Sequence, residues 1–149
     1  MIALIQRVTS AEVRIGERSA GAISRGILAL IGVRRGDDGA SAERLLERIL
    51  SYRIFPDTAG RMNLSLRDIQ GGLLLVPQFT LAADTGKGTR AGFSTAAAPE
   101  QARALFEDLV QKARTAHTRV ENGEFGADMQ VSLVNDGPVT FWLETRGMD

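Results

Sequence analysis

No cysteine occurs anywhere in the chain, and there is a single histidine. Disulfide frameworks, cysteine-ligated zinc or iron–sulfur centres and thiol nucleophiles are therefore excluded, and a cytoplasmic setting is the expectation. Net charge is also missing, since 18 Lys and Arg balance 18 Asp and Glu. That balance argues against sequence-independent coating of nucleic acid, whose affinity comes from many neutralised phosphates. A confined contact with one end of an RNA is compatible with it. The longest apolar run, residues 27–33, falls far short of the ~20 residues that a membrane helix needs. The start Met1-Ile2-Ala3-Leu4 has no basic segment ahead of an apolar one, so neither a signal peptide nor a span is expected.

What is present is 149 residues, 44% of them hydrophobic. A chain of that length buries roughly 70% of its unfolded surface, so one domain over residues 1–149 is expected to hold together without disulfide or metal. Apolar side chains at Ile2, Leu4, Val8, Val13 and Ile15 give the two-residue rhythm of a half-buried strand. Residues 19–23 read as a second strand, and residues 26–33 as a central strand buried on both faces. From 41 to 53 the period changes: Ala42, Leu45, Leu46, Ile49 and Leu50 share one helical face, opposite Glu43, Arg44, Glu47 and Arg48. Leu73-Leu74-Leu75-Val76 opens another buried strand, expected to run on to Leu81, and a Gly-, Ala-, Thr- and Ser-rich loop follows over 82–98.

Pro99 then suits a first helical position, with Ala102, Leu105, Phe106, Leu109, Val110 and Ala113 at helical spacing behind it. Residues 129–133 and 139–143 read as strands around a loop, Asn135-Asp136-Gly137-Pro138. Strands, helix, strand, helix, strands in that order predict an α+β fold: a mixed or antiparallel, barrel-like sheet packed with two main amphipathic helices.

Several conventional chemistries find no support. Thr85-Gly86-Lys87-Gly88-Thr89 departs from a phosphate loop, because Gly88 separates Lys87 from Thr89 and Leu81 stands where the first glycine belongs. His117 has no partner recognisable by spacing and reads as an exposed surface histidine. The acidic pairs Asp37-Asp38 and Glu107-Asp108 fall in turn and helix-surface contexts, so no metal site is expected.

Two segments break structural rules. In Pro77-Gln78-Phe79-Thr80-Leu81, proline removes a ladder donor and polar residues interrupt an apolar strand, which suits a strand end exposed at a cleft, an edge or bulge being the plain alternative. In Asn135-Asp136-Gly137-Pro138-Val139-Thr140, Pro138 spoils an otherwise favourable hairpin and invites a cis peptide bond, an ordinary turn being the alternative.

With these two segments, Ile5-Gln6-Arg7-Val8, Arg53-Ile54-Phe55, Met62-Asn63-Leu64-Ser65 and Phe125-Gly126-Ala127-Asp128-Met129, taken in order, the chain resembles the D-aminoacyl-tRNA deacylase family along essentially its whole length. The resemblance implies a cofactor-free and metal-free homodimeric hydrolase. Such an enzyme cleaves the ester between a D-amino acid, or glycine mischarged on tRNA(Ala), and the acceptor end of an aminoacyl-tRNA. It further implies that Gln78, Phe79 and Thr80 carry catalysis and line the pocket of the terminal adenosine. Gly137 and Pro138, joined by a cis bond, are implied to enter the partner's pocket, with Arg7, Phe125 and Met129 as further substrate-binding residues.

A main-chain hook that fixes the substrate ammonium rejects an L side chain by collision, so discrimination needs no side chain of its own. Backbone N–H groups near Phe79 and Thr80, with the Thr80 hydroxyl, are the candidates for holding the developing oxyanion. With no matched histidine or cysteine, the 2′-hydroxyl of the RNA is the candidate for assisting attack. Lys87 and Arg90 are candidates for phosphate contacts.

Three departures from the family stand out. Pro77 replaces the usual serine before Gln-Phe-Thr, which removes a serine nucleophile from that position. A sister group of animal deacylases with relaxed chirality shares this Pro-Gln start but carries Ala next, where Phe79 stands here. Arg90-Ala91-Gly92-Phe93 replaces Arg-Pro-Ser-Phe. The competing functions are a nucleic-acid-binding module of the same fold with weakened catalysis, and a small-molecule esterase, which the missing triad disfavours.

Overall fold

The alternation over Ile2–Ile15 produces a long strand, β1, around which the sheet is organised. In the computed structural model, which describes residues 1–146, the first half of β1 pairs antiparallel with β3 (Gly26–Gly32) and the second half with β2 (Arg18–Ile23). Helix α1 (Gly39–Ser51), a small hairpin of β4 (Phe55–Pro56) and β5 (Met62–Leu64), and the short helix α2 (Leu66–Ile69) cross over to β6 (Gly72–Pro77). Strand β6 lies parallel to β3. Helix α3 (Pro99–Ala116) makes the next crossover, to β7 (Val120–Asn122), parallel to β6. Strand β8 (Gln130–Glu144) returns antiparallel along the free edge of β1.

The result is a mixed sheet nearly closed into a barrel, because β2 curls against β7. There a Cβ on Gly21 would stand 3.1 Å from the Glu121 Cβ. Among the described residues no helix is long and apolar enough to cross a membrane.

Burial explains the patterns. Ile27, Ala29 and Ile31 of β3 and Leu73 and Leu75 of β6 face the helices, packing on Leu45, Ile49, Phe106 and Leu109. Leu28, Leu74 and Val76 face the other way, into the barrel with Val8 and Val13. Both strands are covered on two sides, which is why they read as unbroken apolar runs. Each buried Val, Leu, Ile or Phe among them contributes roughly 1.5–3 kcal/mol. Helix α1 starts where Asp38 accepts from the Ser41 N–H at 2.9 Å, and the Ser41 side chain reaches back to the Asp38 N–H. Gly26 is dictated by contact, since a Cβ there would lie 1.9 Å from the Gly72 carbonyl oxygen.

Four expectations need correction. Strand β6 stops at Pro77 instead of running to Leu81: the Gln78 N–H still donates to the Ile31 carbonyl at 2.7 Å, and the chain then winds into a 3-10 turn, Phe79–Ala82. Gly32 lets that turn fold back over the end of β3, its would-be Cβ only 3.0 Å from Leu81 Cβ. The two C-terminal strands are arms of one strand, β8. Its register against β1 jumps from Gln6↔Thr140 to Val8↔Asn135, so residues 136–139 bulge out opposite Arg7. His117 is buried, with Nε2 2.6 Å from the Gly71 carbonyl oxygen. Finally, β4, β5, α2 and β7 lie in stretches to which the sequence reading gave no element.

Candidate active site

The turn that follows β6 presents the residues with the least conventional surroundings. Phe79 and Thr80 are exposed, while Pro77 and Gln78 are half-buried. The Gln78 Nε2 donates to the Thr80 Oγ1 at 2.6 Å. That hydroxyl thus has an acceptor lone pair occupied and its own proton available to give, which suits an oxyanion donor better than a nucleophile. The amides of Phe79 and Thr80, at the start of the turn, have no acceptor among the described residues, whereas those of Gln78 and Leu81 are taken. His117, the one imidazole in the chain, is committed to Gly71.

Two cavities flank this turn. One, of about 540 Å³, runs from Thr80 along Leu81, Ala82 and Asp84 to Arg34 and Trp142. The other, of about 560 Å³, is lined by Phe79, Phe93, Arg35, Pro99 and Gln101. Arg34 and Arg35 are neighbours in sequence, yet each serves a different cavity. The Arg34 guanidinium is paired with Glu144 at 2.9 Å and, together with the Trp142 N–H at 2.7 Å, holds that carboxyl below the ordinary glutamate range.

The bulge in β8 is held by side chains. Arg7 donates from Nε to the Asp136 carbonyl at 2.8 Å and from Nη1 to the Ile54 carbonyl at 2.7 Å. Asn135 accepts from the Val139 N–H at 2.7 Å and donates to the Thr140 hydroxyl at 3.0 Å. Between these braces Gly137 and Pro138 are exposed, and the peptide joining them is cis. Gly137 has φ +151, and a Cβ there would stand 2.7 Å from Val139 Cγ2 and 2.8 Å from Val139 N. Only glycine fits this backbone without rearrangement.

The eight residues expected at the site therefore separate into groups. Gln78, Phe79 and Thr80 form the turn, and Arg7, Gly137 and Pro138 form the braced bulge. Met129 lies near the base of the turn, since a Cβ on Gly123 would meet its Sδ at 2.8 Å and Pro77 Cδ at 3.5 Å. Phe125 sits under the Arg103 guanidinium, 5.1 Å from its ring centre, on a different cavity of about 370 Å³.

Sequence reasoning missed the bracing by Asn135 and Thr140, although an Asn two residues ahead of Gly-Pro is a recognisable turn former. It also missed the pairing of Phe93 with Phe79, their ring centres 5.4 Å apart. Among the described residues no three histidine, aspartate or glutamate side chains converge as metal ligands do.

Comparison with known proteins gives a consistent result. The family described as D-Tyr-tRNA(Tyr) deacylase matches residues 4–144. The D-aminoacyl-tRNA deacylase of Thioalkalivibrio sulfidiphilus is 68% identical over 144 residues, covering 97% of this chain and 97% of that protein. Its namesake from Alkalilimnicola ehrlichii is 64% identical over 146 residues, covering 98% and 97%. Among solved structures, a c-Myc DNA unwinding element binding protein superposes with a TM-score of 0.94 at 37% identity, over 99% of this chain and 100% of that one. A probable eukaryotic D-amino acid tRNA deacylase shares the fold at a TM-score of 0.84 and 16% identity, over 97% and 98%.

Proposed function

The chain belongs to the D-Tyr-tRNA(Tyr) deacylase family and acts as a D-aminoacyl-tRNA deacylase, and on that premise we propose that its site is completed across a homodimer. Water adds to the ester carbonyl at the Phe79–Ala82 turn of one subunit, while the Gly137–Pro138 segment of the other sorts the substrate by handedness.

The observation that carries this reading is the distance between the two parts within one chain. The rows Ala3↔Leu143, Ala3↔Ile31 and Ile31↔Pro77 place the start of the turn four residues along β1 from Arg7 and three strand spacings from β8. That is about 13 Å along the strands and about 14 Å across them. Neither cavity beside the turn is lined by Gly137 or Pro138 of the same chain. An exposed main-chain hook braced so firmly, and lining neither of these cavities in its own chain, fits delivery into a second copy.

In this reading the hook's carbonyls receive the substrate ammonium, and the ester carbonyl points to the amides of Phe79 and Thr80 and to the Thr80 hydroxyl. With both ends fixed, an L side chain collides with the wall, a D side chain points outward, and glycine on tRNA(Ala) passes. The tRNA 2′-hydroxyl assists water, the ester C–O bond breaks, and free amino acid and tRNA leave. Phe79 walls the terminal adenosine, and Arg7 acts by positioning the hook.

The test is release of amino acid from matched D- and L-tyrosyl-tRNA, with a third substrate ending in 2′-deoxyadenosine. Rapid loss of the D form, persistence of the L form and slowing of the deoxy substrate are expected. Equal loss of D and L would refute the discrimination, and a deoxy substrate cleaved at full speed would remove the 2′-hydroxyl from the mechanism. A second reading, a nucleic-acid-binding module with little catalysis, draws on the printed name of the solved structure at 37% identity. Binding of tRNA without turnover of the D form would favour it.

A further inference from the structure

The cavity that Phe79 shares with Phe93 and Arg35 serves the chemistry above only through the wall that Phe79 gives the terminal adenosine, yet it is built beyond that. Its loop is pinned: the N–H groups of Asp84 and Gly92 donate to each other's carbonyls at 2.8 and 2.9 Å, and Thr95 Oγ1 donates to the Ala82 carbonyl at 2.6 Å. The Arg35 N–H donates to the Thr95 carbonyl at 3.1 Å. These bonds hold Phe93 against Phe79 but leave the rings 47% and 57% exposed. Two large apolar rings kept half-exposed at the surface by a fixed loop forgo about half of the roughly 1.5–3 kcal/mol that full burial of each would bring, which calls for an occupant.

Charge says which. The Arg35 guanidinium has no hydrogen-bond or ion-pair partner among the described residues, unlike Arg34, which Glu144 holds. A flat apolar ring beside a free guanidinium matches a nucleobase joined to a phosphate. The cavity, about 560 Å³, has the size of a small-ligand site.

Position completes the argument. Thr80 opens to one side of the turn and Phe79 to the other. If the ester lies at Thr80, a single strand leaving the terminal adenosine passes over the turn into this second cavity. We propose that the cavity is the subsite for the nucleotide immediately 5′ of the terminal adenosine, its base stacked on Phe93 and its phosphate at Arg35. The inference rests on the turn being the seat of ester hydrolysis.

The test compares two minimal ligands, adenosine and the dinucleotide CpA, both without an amino acid for binding and as 3′-D-tyrosyl esters for turnover, on the intact protein. CpA is expected to bind and react roughly tenfold or more better than adenosine. Phe93→Ala and Arg35→Gln abolish that advantage and leave the adenosine ligand unchanged, whereas Phe93→Tyr keeps it. A neutral methylphosphonate linkage in CpA removes the effect of Arg35→Gln. No advantage for CpA, or an equal loss on both ligands, overturns the subsite. Dissociation of the protein into monomers on Phe93→Ala also overturns it, because the rings would then belong to a subunit contact. If wild type hydrolyses neither ester, release from full-length D-tyrosyl-tRNA tests the deacylase reading separately, and the CpA-over-adenosine binding advantage alone decides the subsite.

Discussion

The turn after β6 and the bulge in β8 are two departures from regular strand, held by opposite means. At the turn the backbone does the work: Pro77 ends the ladder, Gly32 makes room, and one side-chain bond, Gln78 to Thr80, orders the exposed residues. At the bulge the backbone is irregular and the side chains do the work, Arg7 and Asn135 together fixing Asp136, Val139 and Thr140. The first arrangement offers donors to a ligand; the second offers a rigid outline. In the proposed reading the former suits the catalytic element and the latter the selector.

Variants break the two halves differently. Gly137→Ala forces the bulge to re-form around a methyl 2.7 Å from Val139 Cγ2. Turnover of D-tyrosyl-tRNA is expected to fall about 10²-fold or more, with melting close to wild type because the segment is exposed. Undiminished turnover would show that the bulge is not part of the site. Thr80→Val keeps shape and loses the hydroxyl, for an expected loss of about 10²-fold in kcat, whereas Thr80→Ser retains most activity. Equal loss in both variants would mean that the methyl group matters, not the oxygen.

The smallest effect concerns the wall of the Thr80 cavity. Arg34, and after it Trp142, hold the Glu144 carboxyl below its ordinary value near 4.5. A lowered acid contributes stability above its unfolded value and loses it as pH falls through the folded one. Glu144→Gln should therefore flatten the acid-side loss of melting temperature below about pH 5, slightly, because the pair is part-exposed. An unchanged acid limb would contradict the pairing.

How far the sequence reveals this depends on length and period. Helices α1 and α3 and strands β1, β3 and β6 carry enough apolar repeats to declare themselves. Strand β7 is only Val120-Glu121-Asn122, and α2 is four residues started by a Ser65–Asp68 capping box, so neither has a period to read. His117 looks exposed because nothing in its neighbours announces the Gly71 carbonyl beneath it.

The candidate site's two segments stand out in the sequence through Pro77 and Pro138, each an offence against strand rules. Their spatial separation does not, because it follows from register: the order β8-β1-β3-β6 comes from the crossover between β3 and β6 and the return of β8 to the edge of β1, and no local pattern encodes either.

That separation is the claim on which the account stands, and mixed dimers test it most directly. Differently tagged Gly137→Ala and Thr80→Val chains, each inactive alone, are co-expressed and the heterodimer isolated. If the hook acts in the partner, one site of the pair carries both defects and the other is intact, so turnover returns at the level of a single working site. If hook and turn serve the same chain, neither site is whole, and a heterodimer as inactive as its parents would contradict the account.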